Sequence, residues 1–398
     1  MDMKWPKANM DFYKLGTDPS KIITIQNSGD LDKDFLRYAN NFYEAAVTLV
    51  RKLIGTESQN TTIAELDLWY FALIYLYRQS LELLLKANIF KLVPGEQDRK
   101  DIIAQVRHDV GAAFDKIVDL QGIDITSNPN IQWLSDFFHD ISKIDRESDM
   151  FRYPFGNDLR VLFEKQTHID LAGTYYNMHR AFGTMSDFYQ TQKFNHYPYR
   201  QYDPKLIVEG GTYYTQSVVG YKYHERAFYP YYTSYEECAQ YLATIMKEQG
   251  KSHLFMPMCY LYRNSIELGL KRIIVEDSHI DSEKALKILK RKKHSILGLY
   301  NSIEAELQAH DNGTDTTLQD VSTYINTFHN IDTTSDMFRY PANKLLETHF
   351  TDETKLDIDN VSDCFEELIT FLDGASHMLS VEKEYEAEAA AEAASWTM

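Results

Sequence analysis

Tyr77-Arg-Gln-Ser-Leu-Glu-Leu-Leu-Leu-Lys86 returns later in the chain, in the same pattern, as Tyr262-Arg-Asn-Ser-Ile-Glu-Leu-Gly-Leu-Lys271. Two further pairs of blocks follow in the same order along the chain. Arg107-His108 returns as Lys293-His294, and Ser148–Pro154 returns as Ser335–Pro341 with the identical sequence Ser-Asp-Met-Phe-Arg-Tyr-Pro. The second members follow the first by 185, 186 and 187 residues. Three collinear blocks at nearly constant spacing indicate a tandem duplication of one domain.

Length, composition and net charge restrict the class of protein. A chain of 398 residues with 44% hydrophobic residues suits two repeats of about 150 residues, each with its own core. The net charge of −18 disfavours general nucleic-acid binding but leaves room for a local basic patch. Cys238, Cys259 and Cys364 lack metal-ligand spacing, so we expect free thiols in a reducing cytoplasm.

Sorting signals and cofactor motifs are not found in the sequence. The first residues have no apolar signal-peptide core, and no apolar run is long enough for a membrane span. No phosphate loop, dinucleotide fingerprint, zinc-protease or nucleophile-elbow motif occurs. We therefore expect a cytoplasmic protein with no membrane partner, no metal and no cofactor.

Hydrophobic spacing predicts helices throughout both repeats, with one strand-like run at residues 22–25. The predicted helices are 31–54, 63–92, 98–120, 129–145 and 157–191 (interrupted near 167–173), and then 234–249, 252–276, 281–308, 316–331 and 358–380. The helix 63–92, capped by Thr61 or Thr62, is apolar nearly all round and should lie at the centre of its bundle. The expected organisation is an arm (1–30), repeat 1 (31–191), a connector (192–233), repeat 2 (234–382) and an Ala/Glu-rich helical or frayed tail (383–398).

The connector is rich in tyrosine and proline, as in His196-Tyr-Pro-Tyr-Arg200, Tyr213-Tyr214, Tyr221, Tyr223 and Phe228–Tyr232. Gly210-Gly211 between residues 206–208 and 218–219 predicts a small β-hairpin. The tyrosines suit either a surface on which bases stack or an ordered linker packed between the bundles.

Charged side chains recur on the two central helices. Arg78, Glu82 and Lys86 are spaced by four residues and share one helix face, and the same holds for the set Arg263, Glu267 and Lys271. A charge on a central helix must be paired. The two sets therefore form either polar binding pockets or internal ion-pair networks that fix helix register.

Histidine and arginine also recur. His108 and His294 each open an apolar helical run, where a histidine can cap the helix, bond a carboxylate or act in acid–base chemistry. Arg152 and Arg339 sit before a tyrosine that the following proline keeps out of a helix. The planar fork of these arginines suits phosphate or carboxylate recognition, or else bonds to helix-end carbonyls or to Glu82 and Glu267.

The repeats differ in charge just before the histidine. The second copy carries a basic run that has no equal in the first: Lys284, Lys287, Lys290, Arg291, Lys292 and Lys293. This run is either the anion-binding patch of an otherwise acidic protein or a solvated helix face.

The retained blocks resemble those of the HEPN superfamily (higher eukaryotes and prokaryotes nucleotide-binding), in its bacterial stand-alone form. The resemblance rests on the Arg and Glu of a long apolar helix, the following His, and the Phe-Arg-Tyr-Pro element, and it covers about 300 residues. It implies an all-α fold of two four- to five-helix up-and-down bundles, paired within one chain as a pseudo-dimer. It also implies a role in bacterial phage defence or a toxin system.

Many members of that superfamily are metal-independent ribonucleases with an Arg-x4–6-His signature, whereas Arg152 and Arg339 have no histidine at that spacing. Three hypotheses follow. The chain binds a nucleotide, an RNA or a protein partner through polar pockets; or it is a divergent ribonuclease that uses Arg152, Arg339, His108 and His294; or it is a structural protein that assembles with itself or a partner.

Overall fold

The structure is a computed structural model that describes residues 4–56, 58–155, 163, 165–194, 203–220 and 227–395. Most of these residues are helical, so the predicted all-α class is confirmed, although two small two-stranded sheets accompany the helices. Both repeats contribute to one continuous hydrophobic core.

The helices of the two repeats follow one another in the same order. In residues 31–191 they are α1 (Leu31–Ile54), α2 (Ile63–Leu68), α3 (Tyr70–Leu92), α4 (Glu96–Val106), α5 (Val110–Gln121), α6 (Pro129–Ile144) and α7 (Leu171–Thr191). Later in the chain come α8 (Tyr229–Gln249), α9 (Phe255–Arg272) with a π-helical turn (Ile273–Asp277), α10 (Ser282–Lys292), α11 (Ile296–Tyr300), α12 (Glu304–Ala309), α13 (Thr317–Ile331) and α14 (Ile358–Ser395).

The two central helices are α3 and α9, which carry the repeated charged residues. Side chains on every face of α3 from Tyr70 to Phe90 are buried, as the sequence predicts. α3 packs against α1, α5, α7 and α8, while α9 packs against α8, α14 and α11. The two helices approach each other at Tyr75 and Tyr260, whose rings stack with centroids 4.9 Å apart.

Two long helices predicted from the sequence, 98–120 and 281–308, are each broken at the repeated basic-His pair. Arg107 and Lys293 adopt positive φ angles of 47° and 49°. The residue after each histidine, Asp109 or Ser295, then caps a new helix by accepting from a backbone N–H. Each histidine therefore lies in a tight turn between two helices, and not within one.

Each sheet joins the two repeats. Strand β1 (Ile22–Ile25), which precedes α1, pairs antiparallel with β4 (Thr354–Asp357), which precedes α14. Strand β2 (Thr167–Asp170), which precedes α7, pairs antiparallel with β3 (Gln216–Val219), which lies in the connector before α8. The segment leading into each repeat thus pairs with the strand before the last helix of the other repeat.

The predicted hairpin between residues 206–208 and 218–219 is wrong. The partner of β3 is β2, and Leu206 and Val208 are held elsewhere: the Leu206 N–H donates to Asp140 at 2.8 Å, and the Val208 carbonyl accepts from the Asp170 N–H at 2.7 Å. Glu209 forms an isolated antiparallel bridge to Ile169.

Other boundaries differ more modestly. The predicted helix 63–92 divides at Trp69, while Thr62 caps it in a capping box with Glu65, as expected. α8 begins at Tyr229 instead of residue 234, and α14 continues through the Ala/Glu run to Ser395 with its last turns exposed. Predictions for residues 157–162, for His196–Arg200 and for Tyr221 and Tyr223 lie outside the described residues.

Candidate functional site

A buried carboxylate organises the polar residues of the first repeat. Glu82 on α3 accepts one hydrogen bond from Arg78, one turn before it, and another from Lys86 Nζ at 2.7 Å, one turn after it. Arg78 also donates to the His108 carbonyl, and its Nε lies 3.3 Å from the Asp145 carboxylate. All three residues of the ladder are buried. The predicted ion-pair network therefore exists and is closed by groups from the loops after α4 and α6.

The second repeat builds the same arrangement around Glu267. Arg263 and Lys271 donate to its two oxygens, with the Lys271 bond at 2.7 Å. Arg263 donates to the His294 carbonyl at 2.5 Å, and its Nε lies 3.5 Å from Asp332. Both carboxylates are thus neutralised at the same positions of their helices.

The two networks are joined by a tyrosine that each repeat gives to the other. Tyr340, from the second Phe-Arg-Tyr-Pro block, donates to Glu82 Oε1 at 2.7 Å. Tyr153, from the first block, donates to Glu267 Oε1 at 2.8 Å. Each carboxylate is therefore completed by the opposite repeat.

These surroundings keep both carboxylates ionised. Burial alone would raise the pKa of Glu82, but Lys86, His108 and Arg78 together hold it well below its usual range. Burial likewise opposes ionisation of Glu267, and Lys271, His294 and Arg263 together hold its pKa well below the usual range. The free energy of the network therefore depends on charge–charge pairing in a dry interior.

The two histidines face these carboxylates through the same ring nitrogen. His108 Nδ1 lies 3.1 Å from Glu82 Oε1, and His294 Nδ1 lies 2.9 Å from Glu267 Oε1. An ionised carboxylate can only accept a hydrogen bond, so Nδ1 carries the proton in both rings. Nε2 of a neutral ring then keeps its lone pair. The side chains are 27% and 35% exposed, which leaves the rings within reach of solvent.

Both histidines are neutral near pH 7. Glu82 favours the charged form of His108, yet burial and the cations Lys86 and Arg339 outweigh it and lower the pKa below the usual value. Burial is the largest influence on His294, and with Arg152 and Lys271 it also lowers that pKa, against Glu267. A neutral imidazole with a lone pair on Nε2 can accept a proton or a hydrogen bond.

Arg152 and Arg339 are each held by hydrogen bonds to the turn that precedes them in the chain. Arg152 Nε donates to the Ser148 carbonyl at 2.6 Å and its Nη2 to Asp149 at 2.7 Å; Arg339 does the same with Ser335 at 2.6 Å and Asp336 at 2.9 Å. The alternative that these arginines bond Glu82 and Glu267 is wrong, because Arg78 and Arg263 occupy those carboxylates.

The third nitrogen of each guanidinium makes no hydrogen bond to a described residue. Nη1 of Arg152 and Nη1 of Arg339 are buried, and neither has a hydrogen-bond partner among the described residues. Both side chains are about 5% exposed. A buried guanidinium with an unused donor is uncommon because each missing bond costs free energy.

A cleft of about 470 Å³ opens over these residues between the two repeats. Its described walls contain both histidines, both arginines of the Phe-Arg-Tyr-Pro blocks, five further cations (Arg107, Lys271, Lys290, Lys293 and Lys344) and three carboxylates (Glu147, Asp149 and Asp336). The positive excess contrasts with the net charge of −18 of the whole chain. Anions are the ligands that such a wall favours.

The structure divides the predicted site residues into three groups. His108, His294, Arg152, Arg339, Lys271, Lys290 and Lys293 meet at the cleft. The ion-pair residues Arg78, Glu82, Lys86, Arg263 and Glu267 are buried and do not belong to its described lining. Arg291 and Lys292, although inside the basic run, are also absent from the described lining, so they are not brought to the cleft.

Four residues of the two buried networks were missed from the sequence. Tyr153 and Tyr340 are part of a repeated block but were not recognised as ligands of the opposite carboxylate. Asp145 and Asp332 pair with Arg78 and Arg263, and they are also 187 residues apart. That shared spacing, three residues before each Ser-Asp-Met block, is the signal that could have found the aspartates.

The described residues contain no helix with the length and hydropathy needed to cross a bilayer, and no group of three or more His, Cys, Asp or Glu side chains suited to a metal ion. Comparisons of this chain with models of known protein families, with curated proteins and with solved structures found no match. Any functional conclusion therefore rests on the geometry of the cleft.

Proposed function

We propose that the chain binds a phosphate-bearing ligand, a nucleotide or an RNA, in the cleft between its repeats. The observation that carries this proposal is the pair of guanidiniums, Arg152 and Arg339, that line a cleft with a positive wall and each keep one Nη1 donor without a hydrogen-bond partner among the described residues. Arginine offers phosphate a planar fork of donors, and a donor that is already positioned and partly desolvated binds it more strongly.

The proposal includes a HEPN-like arrangement in which the two repeats act as an intrachain pseudo-dimer. Reciprocal contacts support it: Tyr153 reaches Glu267, Tyr340 reaches Glu82, and each sheet pairs the segment that leads into one repeat with a strand of the other repeat. Such a pairing makes the cleft a shared site in which each side combines residues of both repeats.

Binding is tested with fluorescent single-stranded RNA and with ATP, on the native chain and two charge-matched variants. Lys290→Glu/Lys293→Glu changes two residues of the cleft, and Arg291→Glu/Lys292→Glu changes their neighbours outside its described lining by the same net charge. We expect the first variant to lose at least about tenfold in affinity and the second about threefold or less, with both affinities falling as salt rises.

Equal losses in the two variants would mean that the charge of the whole helix, and not the cleft, attracts the ligand. No detectable binding of either RNA or ATP by the native chain would remove the proposal. A protein partner or self-assembly, as in the structural hypothesis, would then be the better account, and light scattering would detect the latter.

A second candidate, a divergent metal-independent ribonuclease, is favoured by one specific observation. The Arg339 guanidinium carbon lies 5.1 Å from the centre of the Tyr340 ring, and the Tyr340 hydroxyl lies 3.3 Å from His108 Nδ1. Arg152 likewise lies 5.1 Å from the centre of the Tyr153 ring, whose hydroxyl is 2.9 Å from His294 Nδ1, so each histidine shares a tyrosine neighbour with the arginine of the opposite repeat. One neutral Nε2 would take the proton of a ribose 2′-hydroxyl, whose oxygen would attack the adjacent phosphate to form a 2′,3′-cyclic phosphate, while the guanidinium of the opposite repeat would stabilise charge on that phosphate. The proton would then pass from the imidazolium to the 5′-oxygen as the bond between phosphorus and that oxygen breaks.

Cleavage of RNA in the presence of EDTA tests this candidate. We expect His108→Asn/His294→Asn to abolish cleavage by the native chain while RNA binding and melting temperature stay close to native. Asparagine retains an N–H donor toward Glu82 and Glu267, so the network beneath survives. Cleavage that persists in this variant would exclude the histidines as the acid and base, whereas absence of cleavage by the native chain would leave binding as the function.

A further inference from the structure

The two sides of the cleft are built from equivalent residues but are not equally open. On one side Tyr153, Pro154 and Lys271 line the cleft; their counterparts on the other side are Tyr340, Pro341 and Lys86, none of which belongs to its described lining. We call the first side, built from Tyr153, His294 and Lys271, the open half. The other, built from Tyr340, His108 and Lys86, is the closed half.

The open half also has an aromatic end. Phe155 follows the first Phe-Arg-Tyr-Pro block and lines the cleft, whereas the same position after the second block is Ala342. Phe155 packs edge-on against Phe228, another lining residue, with ring centroids 5.8 Å apart. An aromatic face next to a cleft is a surface on which a base or another planar ring can stack.

One position of the wall on the helix before each histidine differs in charge in the same sense. Lys290 lines the cleft on α10, three residues before Lys293, while the equivalent position on α4, three residues before Arg107, is Ala104. The second repeat, which carries Lys290, also supplies Lys271, Lys293 and His294 to the lining. Arg152 precedes Tyr153 in the chain, and the Tyr153 hydroxyl lies 2.9 Å from His294 Nδ1. Cations and an aromatic end therefore occur together in the open half.

We propose that the cleft takes one ligand per chain, a phosphate ester that carries an aromatic ring, such as a nucleoside di- or triphosphate. Its ring lies against Phe155, and its phosphates face Arg152, Lys271, Lys290 and Lys293 of the open half. The closed half keeps the hydrogen bond between Tyr340 and Glu82 but binds no second ligand. This inference rests on the proposed function and adds to it a stoichiometry, an orientation and a ligand class.

The size of the cleft agrees with this assignment. A volume of about 470 Å³ falls within the range of sites for single small molecules, roughly 300–1,000 Å³. The ring supplies an apolar contact and the phosphates supply charge, so the two ends of the ligand can be tested separately.

Isothermal calorimetry with ATP and with inorganic tripolyphosphate tests the orientation. We expect one ATP per native chain. Phe155→Ala should weaken ATP about tenfold, since base stacking is worth about 1–3 kcal/mol, and should leave tripolyphosphate unchanged. Lys290→Ala should weaken both. Tyr214→Ala, which removes a ring that is 76% exposed and lies outside the described lining, is the control and should change neither.

A charge transfer between the halves tests the asymmetry. Lys290→Ala/Ala104→Lys keeps the net charge and places the lysine at the exposed equivalent position of α4. We expect affinity to stay as low as in Lys290→Ala. Restored affinity, or two ATP molecules per chain, would overturn the inference while leaving phosphate binding intact.

The remaining outcomes are also decisive. RNA binding that Lys290→Glu/Lys293→Glu weakens, together with no binding of ATP, would support the proposed function and overturn this inference. An equal effect of Phe155→Ala on ATP and tripolyphosphate would overturn the placement of the ring. Failure of RNA, ATP and tripolyphosphate to bind would overturn both.

Discussion

The two halves of the cleft agree in their buried parts and differ at their surfaces. The lysine–carboxylate distance is 2.7 Å in both repeats, and the tyrosine–carboxylate distance is 2.7 Å in one and 2.8 Å in the other. At the wall, however, the position equivalent to Phe155 is Ala342, and the position equivalent to Lys290 is Ala104. Buried charges constrain one another, whereas wall residues are free to diverge and to specialise.

The reason for the agreement is energetic. Removing one member of a buried charged network leaves the others without compensation, at a cost of about 3–5 kcal/mol. A surface lysine carries no such penalty, because water replaces its partner. Similarity between the repeats therefore reports what the fold needs, and the differences report where a ligand is expected.

Loss of either central carboxylate should give the largest effect. We expect Glu82→Ala and Glu267→Ala each to lower the free energy of unfolding by about 3–5 kcal/mol, because each strands a buried arginine and lysine. Urea denaturation followed by circular dichroism measures it. Glu283→Ala, which removes an exposed partner of Lys287, is the control and should leave the midpoint nearly unchanged.

The two losses should be similar in size. If Glu82→Ala were tolerated while Glu267→Ala unfolded the chain, the first network would not be equivalent to the second, and its buried geometry would carry less of the stability of the fold than we infer.

The exchanged tyrosines should give the next effect. Tyr153→Phe and Tyr340→Phe each remove a hydrogen bond to a buried charged group, worth about 1.5–3 kcal/mol. The double variant should lose the sum if the halves are independent, and a different amount if contact between the repeats couples them. Tyr213→Phe, at a side chain that is 61% exposed, is the matched control.

Much of the fold could be predicted because its signals are local. Helix α1 was placed at its observed bounds from apolar spacing alone, and the burial of α3 follows from a helix that is apolar on nearly every face. The charged ladder was found because four-residue spacing puts Arg78, Glu82 and Lys86 on one face. Repetition then showed that the ladder mattered in both copies.

The remainder depends on contacts that spacing does not encode. The breaks at Arg107 and Lys293 need positive φ angles at non-glycine residues, which helix propensity does not anticipate. Nothing in the local sequence indicates that a tyrosine or a strand will find its partner in a distant segment of the chain. One sign was present: Thr167-His-Ile-Asp170 and Thr354-Lys-Leu-Asp357, the strands β2 and β4, are also 187 residues apart.

A smaller difference separates two equivalent buried amides. Gln79 accepts from Tyr75 at 3.2 Å and donates to the Arg339 carbonyl at 3.3 Å, whereas neither side-chain atom of Asn264 has a hydrogen-bond partner among the described residues. We expect Gln79→Leu to cost about 1–2 kcal/mol and Asn264→Leu to be neutral or stabilising, because the second removes a polar group without partners. Thermal melts of both variants measure the difference. A large loss in Asn264→Leu would show that this amide is held by a group that its position does not reveal.

Acid should produce the smallest effect, through the two histidines. The pKa of each is lowered in the folded chain, so between the usual value near 6.5 and the folded value the unfolded chain binds a proton that the folded chain does not. Their contribution to stability is therefore fully present above about pH 6.5 and is lost as the pH falls through the folded pKa. Other groups titrate in this range, Glu236 with a pKa that burial raises to about 7 among them, so the comparison must be made against a variant. We expect the melting temperature of the native chain to fall more than that of His108→Asn/His294→Asn between about pH 7.5 and about pH 5.5.

Single variants sharpen the comparison, because the repeats predict the same sign for both histidines: Glu82, Lys86 and Arg339 surround one, and Glu267, Lys271 and Arg152 surround the other. A fall that disappears in only one single variant would show that the open and closed halves differ below the wall as well as at it.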